Sequence, residues 1–287
     1  METIADSAWK SKQDTENSKV RIIAVTSGKG GVGKTNIAAN LAMVLQKCRR
    51  NVLLIDLDLG LANVDILLGL HPKYTLQDVI EGRKSVNEVI VHGPGGIKIV
   101  PASSGIEGLT HLNDMQKEQL FKGFNRLDEE IDIAIVDTGA GISSDVLNFV
   151  LASNEILVVT TPEPTAITDA YAMIKVLSRK KNNLTIKLMV NLSSSREEAE
   201  LTIKKITSVT RRFLDVNIEY IGYLLQDPNV LISSRRQKAF VLEYPNTMAS
   251  NCLVKIVTSV LKENGKVPCL GVEAYFRRIA GVTSEKA

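Results

Sequence analysis

Short apolar runs alternate along the chain with longer segments in which apolar residues return every three or four positions. The runs have the length and β-branched content of buried strands. They cover residues 20–26, 52–55, 97–100, 131–136, 156–160, 186–190 and 218–224. Helical spacing is clearest in residues 36–47, 115–127, 167–177 and 199–213. Because alternating strands and helices favour right-handed crossovers, the pattern predicts one α/β domain: a doubly wound, mostly parallel sheet with helices on both faces.

The two ends of the chain differ from this central region. Residues 1–19 are polar and of mixed charge, which predicts a flexible extension before a folded domain at 20–265. In the remaining segment, 266–287, an apolar stripe at helical spacing runs from Val272 to Val282, and Arg277 and Arg278 lie off it. Such an amphipathic helix can target a membrane by facing its cations toward anionic lipids, or it can pack on the protein core. The pattern leaves both readings open.

Composition narrows the setting. With 287 residues and 44% hydrophobic content, the chain can bury a large core, and its net charge of only +3 gives no reason to expect nucleic acid as a partner. The cysteines Cys48, Cys252 and Cys269 are far apart, as in a reduced cytosolic protein without a structural zinc or iron–sulfur site. The longest apolar stretch, 146–161, is interrupted by Glu155 and is too short to span a membrane. We therefore expect a cytoplasmic protein, soluble or peripheral to the membrane.

A phosphate-binding loop follows the first predicted strand. From Gly28 to Thr35 the chain reads G-K-G-G-V-G-K-T, which matches the G-x-x-x-x-G-K-[ST] motif. In that motif backbone amides cradle phosphates and the hydroxyl, here that of Thr35, holds magnesium. The order strand, glycine loop, helix also places an anion at a helix N-terminus, where unpaired N–H groups favour negative charge. The sequence therefore predicts a site for a nucleotide with Mg²⁺.

Acidic residues follow two other strands. Asp56 and Asp58 end the second predicted strand, and Asp137 begins a glycine-containing turn that extends to Gly141. Ligands of open α/β sheets bind at the carboxyl ends of the strands, so these carboxylates are placed to serve a magnesium ion, a γ-phosphate-sensing turn and an attacking water. The alternative is that each aspartate only caps a turn or a helix.

The loop also carries a second lysine, Lys29. The segment from Ser27 to Thr35, together with that from Ile55 to Asp65, resembles the deviant Walker A ATPases of the MinD and ParA class, P-loop NTPases with a MinD-like fold. The likeness extends over about residues 20–265. It implies that ATP is sandwiched between two copies of the chain, with Lys29 reaching the phosphates of the partner.

The same resemblance implies individual roles. Lys29, Lys34 and Asp58 would be catalytic, with Lys34 on the β and γ phosphates and Asp58 positioning water, while Thr35 and Asp56 would serve the magnesium. Asp137 would report the γ-phosphate. The nucleotide-binding loop would comprise Gly28, Lys29, Gly30, Gly31, Val32, Gly33, Lys34, Thr35 and Asn36.

Further positions resemble the flagellar branch of this class, called FlhG, FleN or YlxH. They are Asn36 after the motif, the turn from Asp137 to Gly141, and the segment 161–171. This likeness implies that Glu163 lies near the ribose across the dimer. It also implies that adenine is held by Asn191 and by the loop Leu225, Gln226 and Asp227, although the family commonly has proline in place of Leu225.

The function implied is a Mg²⁺-dependent ATPase that converts ATP and water to ADP and phosphate. It would be a monomer without ATP and an ATP-bound homodimer on the inner face of the cell membrane, controlling flagellar placement or number. Expected partners are an FlhF-like SRP-type GTPase, flagellar C-ring or rotor proteins and anionic membrane lipids. The segment from Asp6 to Lys12 keeps only part of the family's GTPase-stimulating motif.

Three alternatives remain. One is a division-site ATPase of the MinD type. Another is a partition ATPase of the ParA type, which would bind DNA through clusters such as Arg211 and Arg212. The third is a non-catalytic scaffold in which ATP is only a structural ligand.

Overall fold

The computed structural model describes residues 20–58, 63–101, 112–128, 130–262 and 269–282. The predicted flexible extension at 1–19 and the start of the terminal segment lie outside these ranges.

Within the described residues the strands form one eight-stranded sheet in the order β3-β4-β2-β5-β1-β6-β7-β8. Neighbouring strands are parallel except β3, which runs antiparallel to β4. The strands are β1 Arg21–Ser27, β2 Val52–Leu57, β3 Val91–His92, β4 Lys98–Val100, β5 Ile133–Ala140, β6 Glu155–Thr160, β7 Thr185–Ser193 and β8 Glu219–Leu225. The predicted doubly wound, mostly parallel sheet is confirmed. The sequence gave no sign of β3, because two residues are too few to show a period.

Helices cover both faces of the sheet. They are α1 Lys34–Lys47, α2 Val64–Leu67, α3 Leu76–Ile80, α4 Val86–Val89, α5 Asp114–Asp128, α6 Ser144–Ala152, α7 Pro164–Lys180, α8 Arg196–Leu214, α9 Pro228–Arg235, α10 Phe240–Glu243, α11 Met248–Lys262 and α12 Val272–Ile279. The central strand β1 is buried on both sides: Ile22 and Ala24 join the core under α5, α6 and α7, whereas Ile23 and Val25 join the core under α1 and α11. Two-sided burial explains why this strand is a continuous apolar run.

The C-terminal helix α12 is packed on the protein. Its apolar residues Val272, Tyr275, Phe276 and Ile279 are at most 5% exposed, and the Phe276 ring stacks on Phe124 of α5 at a centroid distance of 4.2 Å. The apolar stripe therefore does not face lipid in the state described here. The predicted membrane contact stays a prediction, and it requires α12 to leave this site.

Specific hydrogen bonds hold α12 in place. Asp128, at the end of α5, accepts hydrogen bonds from the amides of Val272 at 2.6 Å and Glu273 at 3.4 Å, and so caps the helix. The buried Tyr275 hydroxyl donates to the carbonyl oxygen of Phe149 in α6 at 3.1 Å. Among the residues that the structure describes, no helix is long and apolar enough to cross a membrane.

Candidate nucleotide site

The predicted phosphate loop lies between the end of β1 and the start of α1. Gly33 precedes α1 with φ of 88°, in the left-handed region that glycine adopts at little cost. Gly28 packs so closely that a Cβ there would lie 2.2 Å from the carbonyl oxygen of Asp169. Asn191 donates from Nδ2 to the Val32 carbonyl oxygen at 2.8 Å. The loop is thus shaped by close packing and fixed by a side chain from β7.

The motif lysine points into the domain. The Nζ of Lys34 lies 3.6 Å from Oδ1 of Asp137, and both side chains are buried. Burial raises the pKa of Asp137 to about 6, opposed by the charge of Lys34 and by the hydroxyl of Thr35. Neither carboxylate oxygen accepts a hydrogen bond of normal geometry from the described residues. A buried carboxylate with open acceptor positions beside a lysine and a threonine hydroxyl fits a magnesium–phosphate ligand.

Asp56 lies opposite Asp137 in the register of β2 and β5. Its Oδ1 accepts a hydrogen bond from the amide of Asp58 at 3.0 Å, and its Oδ2 accepts bonds from the amides of Asn63 and Val64, both at 3.2 Å. Burial, reinforced by the charge of Asp137, raises the pKa of Asp56 to about 7. Asp56 therefore organises the turn into α2, while each oxygen keeps a second lone pair for the predicted magnesium role.

Asp58, the predicted water-positioning residue, lies against the turn after β5. Its Oδ1 is 3.5 Å from the position that a Cβ on Gly139 would take. The two strand ends that carry Asp58 and Asp137 therefore meet, as the parallel order of β2 and β5 requires. Asn36 lies in the first turn of α1, where its carbonyl oxygen accepts a hydrogen bond from Asn40.

The additional lysine points elsewhere. The Nζ of Lys29 contacts Oε1 of Glu163 at 2.7 Å and the hydroxyl of Thr165 at 2.8 Å, both in the segment after β6. Its side chain is 35% exposed, against 8% for Lys34. Lys29 holds the pKa of Glu163 below its ordinary value. The two lysines of one loop thus occupy opposite environments.

A cavity of about 400 Å³ opens beside the phosphate loop, within the size range of small-ligand sites. The backbone of Gly30 to Val32 forms one wall, and the segment from Thr161 to Glu163 forms another. Leu192, Ser194, Glu198 and Gln226 complete it, all beyond the carboxyl ends of β7 and β8. Sequence reasoning missed Leu192, Ser194 and Glu198. The signal that could have found them is their position directly after Asn191 at a strand end.

The predicted adenine contacts divide into two groups. Gln226 lines the cavity and is tied to β7, since its amide donates to the Ser193 carbonyl oxygen at 2.8 Å. Asn191 is committed through Nδ2 to the phosphate loop, and Leu225 ends β8 in register with Ser193. The carboxylate of Asp227 accepts hydrogen bonds from the amides of Asn229 at 3.0 Å and Ala249 at 3.2 Å, which caps α9 and braces the start of α11. Leu225 and Asp227 therefore support the cavity from outside it, and base contact by these residues stays a prediction.

No group of three or more His, Cys, Asp or Glu side chains suited to a metal ion occurs in the described part of the chain. A magnesium ion carried by nucleotide phosphates needs no such group, because it keeps several waters and uses one or two protein oxygens.

Comparison with known proteins agrees with this geometry. A family model described as an AAA domain matches residues 20–190. Antiactivator FleN of Pseudomonas aeruginosa is 47% identical over 231 residues, covering 80% of this chain and 82% of that protein. The flagellum site-determining protein YlxH of Helicobacter pylori is 32% identical over 264 residues, covering 90% of this chain and 89% of its own. The chain belongs to the FleN/YlxH group of the MinD/ParA family of P-loop ATPases.

Solved MinD structures share the fold of this FleN/YlxH chain. MinD in the MinC:MinD complex of Aquifex aeolicus superposes with a TM-score of 0.70 at 27% identity, over 85% of this chain and 97% of that one. MinD of Pyrococcus horikoshii, complexed with Mg-ADP, gives a TM-score of 0.70 at 25% identity over 86% and 98% of the two chains. The nucleotide and magnesium bound by that relative are the ligands that the present loop fits.

Proposed function

We propose that this chain is an ATP-hydrolysing switch that dimerises around ATP, attaches to the inner face of the cell membrane and controls the placement or number of flagella. The observation that carries the proposal is the opposite orientation of the two loop lysines. Lys34 is buried beside Asp137, where a phosphate of the same chain would be bound. Lys29 is directed away from that site and is partly exposed.

An exposed lysine on the phosphate loop is suited to reach a nucleotide held by a second copy. Its present partners, Glu163 and Thr165, lie on the surface, and exposed ion pairs exchange readily because water screens them. Replacing Glu163 by the polyphosphate of a partner chain would give Lys29 a more highly charged ligand.

The surface around the site has the apolar character of an interface. Ile66 follows β2, Ile142 follows β5 and Leu192 lies at the end of β7, and all three side chains are exposed. Each is thus beyond the carboxyl end of a strand that borders the site. Exposed large apolar residues that cluster in this way mark surfaces for association, and a second copy that contributes Lys29 would cover them.

Hydrolysis would use Asp58 and Asp137. Asp58 lies at the turn that follows Asp137, so it is placed to orient water toward a γ-phosphate bound by Lys34 and the loop amides. Magnesium held near Thr35 and Asp56 would neutralise developing negative charge. Loss of the γ-phosphate would then be felt directly by the turn at Gly139.

Membrane attachment and flagellar control rest on the C-terminal helix and on the relatives. The packed helix α12 carries the apolar stripe and two cations that a lipid-binding helix needs, and a dimer would present two copies of it. Antiactivator FleN and the flagellum site-determining protein YlxH are the relatives whose printed roles we extend to this chain. The proposed partners are an FlhF-like GTPase and flagellar rotor proteins.

The deciding experiment is analytical ultracentrifugation with a non-hydrolysable ATP analogue. The unaltered chain should form dimers, and Lys29→Ala should bind the analogue yet remain monomeric. Lys122→Ala, at an exposed lysine of α5, is the matched control and should dimerise normally. Dimers of Lys29→Ala would refute the sandwich, and a deletion strain with normal flagellar number and position would refute the cellular role.

A second candidate, a DNA-binding partition ATPase, has one observation in its favour. From Leu201 to Leu214 helix α8 carries four exposed cations and no acid: Lys204, Lys205, Arg211 and Arg212. ATP-dependent, salt-sensitive retention on non-specific DNA would support this function, and co-sedimentation with anionic vesicles instead would support the flagellar one.

A further inference from the structure

Leu192 has an unusual backbone conformation for an apolar residue. Its φ is 56°, in the left-handed region, and among the described non-glycine residues with positive φ it is the one with a large aliphatic side chain. The pairing of β7 with β8 is irregular between Val190 and Ser193, so Leu192 lies in a bulge. Bulges beside ligand sites redirect a side chain out of the sheet, and strained conformations cluster at such sites.

The surrounding contacts hold this conformation. The Leu192 carbonyl oxygen accepts a hydrogen bond from Nε2 of Gln226 at 3.2 Å, and the next carbonyl, that of Ser193, accepts one from the Gln226 amide at 2.8 Å. On the other side Asn191 is held by the phosphate loop. Leu192 is thus fixed at both ends while its side chain remains 40% exposed in the wall of the cavity.

The cavity has a polar edge as well as this apolar face. Glu198, in the first turn of α8, lines it, and its Oε2 accepts hydrogen bonds from the Ser194 amide at 2.6 Å and hydroxyl at 2.8 Å. These bonds hold the carboxylate in place and leave Oε1 as an acceptor. A planar ring with an apolar face and an amino group at its edge matches this combination.

We infer that the cavity binds the purine base, with Leu192 packing on the face of the ring and Glu198 accepting a hydrogen bond from the amino group that distinguishes adenine from guanine. The inference rests on the proposed function and specifies how the base is recognised. Guanine presents a carbonyl oxygen where adenine presents the amino group, and two acceptors facing each other repel. Leu192 therefore sets affinity for the base, and Glu198 sets its identity.

The test of Leu192 uses calorimetric titration of the full chain with ADP, and separately with pyrophosphate, in the presence of magnesium. Leu192→Asn keeps a residue that tolerates positive φ but removes the apolar face, and Leu192→Met is the matched control that retains it. Leu192→Asn should weaken ADP binding roughly tenfold while pyrophosphate binding is unchanged, since burial of one leucine-sized apolar contact is lost. Leu192→Met should bind ADP like the unaltered chain.

The test of Glu198 compares ADP with GDP. Glu198→Gln preserves the acceptor that caps α8 but presents an amide donor in place of the second oxygen. We expect the preference for ADP over GDP to fall roughly tenfold. Unchanged preference in Glu198→Gln, or equal loss of ADP and pyrophosphate binding in Leu192→Asn, would overturn the inference.

Two further outcomes separate this inference from the proposed function. If Leu192→Asn binds ADP normally but fails to dimerise with ATP analogue, Leu192 is an interface residue: the inference fails and the switch stands. If the unaltered chain binds no nucleotide, the proposed function itself fails.

Discussion

Asp56 and Asp137 lie directly opposite each other on neighbouring parallel strands, and both carboxyl groups are buried. Their pKa values are raised to about 7 and about 6, with burial as the main cause in each case. Two carboxylates in register at the same sheet edge repel when both are ionised. The pair thus makes the empty site unfavourable at neutral pH and favourable once a cation is present.

A pH dependence follows from these directions. Between about pH 4 and 7 the folded chain keeps protons that the unfolded chain has released, so this pair's contribution to the free energy of unfolding falls as pH rises, by roughly 1–3 kcal/mol. Binding of magnesium with ADP requires the ionised forms and should release protons near pH 6. Calorimetry in two buffers of different ionisation enthalpy measures that release, and heats that are independent of the buffer would contradict it.

Hydrolysis should depend on Asp58. Asp58→Ala removes the carboxylate beside the Gly139 turn, so we expect ATP binding and dimerisation to remain and turnover to fall at least about a hundredfold. Phosphate release measures turnover, and ultracentrifugation with ATP should show persistent dimers. Glu118→Ala, at an exposed carboxylate of α5, is the control; turnover at the unaltered rate in Asp58→Ala would remove Asp58 from the mechanism.

Two glycines of the phosphate loop should respond differently to alanine. A Cβ at Gly28 would lie 2.2 Å from the Asp169 carbonyl oxygen, whereas a Cβ at Gly30 meets nothing within 4 Å. Gly28→Ala should therefore lower the free energy of unfolding of the nucleotide-free protein by roughly 1–3 kcal/mol, because backbone must shift. Gly30→Ala should leave it nearly unchanged. Urea unfolding compares them, and equal losses would show that loop packing is not the cause.

Docking of the C-terminal helix can be weakened without altering its apolar stripe. Asp128→Ala removes the side chain that caps α12 and should destabilise docking by about 0.5–2 kcal/mol. We expect more binding to anionic vesicles in the absence of ATP, measured by co-sedimentation. Glu118→Ala, on the same helix α5, should not change it. Vesicle binding that is equally low in both variants would argue that α12 is a core helix and not a membrane anchor.

The sequence was most informative where burial is two-sided. Strand β1 and its glycine loop could be placed because an apolar run, a motif and a helical period succeed one another without ambiguity. Helix α6 was missed, since its apolar residues continue into the buried strand β6 and form one uninterrupted stretch at 146–161. The strand order was also beyond reach, because it depends on which helices cross which face and not on any local pattern.

Within the site, residue roles that depend on orientation could not be read from the chain. The motif predicts both Lys29 and Lys34, yet only the fold shows that one faces Asp137 and the other Glu163. The amphipathic pattern of α12 was correct, but its partner was open, because a stripe that suits lipid also suits a groove lined by Phe124. Leu192 escaped notice since a positive φ at leucine contradicts its intrinsic preference.

Strand β1 has the phosphate loop at its carboxyl end, and just before its other end the carbonyl oxygen of Val20 accepts hydrogen bonds from the amides of Leu270 and Gly271, both at 3.2 Å. The strand spans about 20 Å, at roughly 3.3 Å per residue. A force applied to the C-terminal helix would therefore act along the axis of the strand that carries the loop. In mechanical terms, attachment and nucleotide chemistry are the two ends of one stiff rod, and tension on one end is a load on the other.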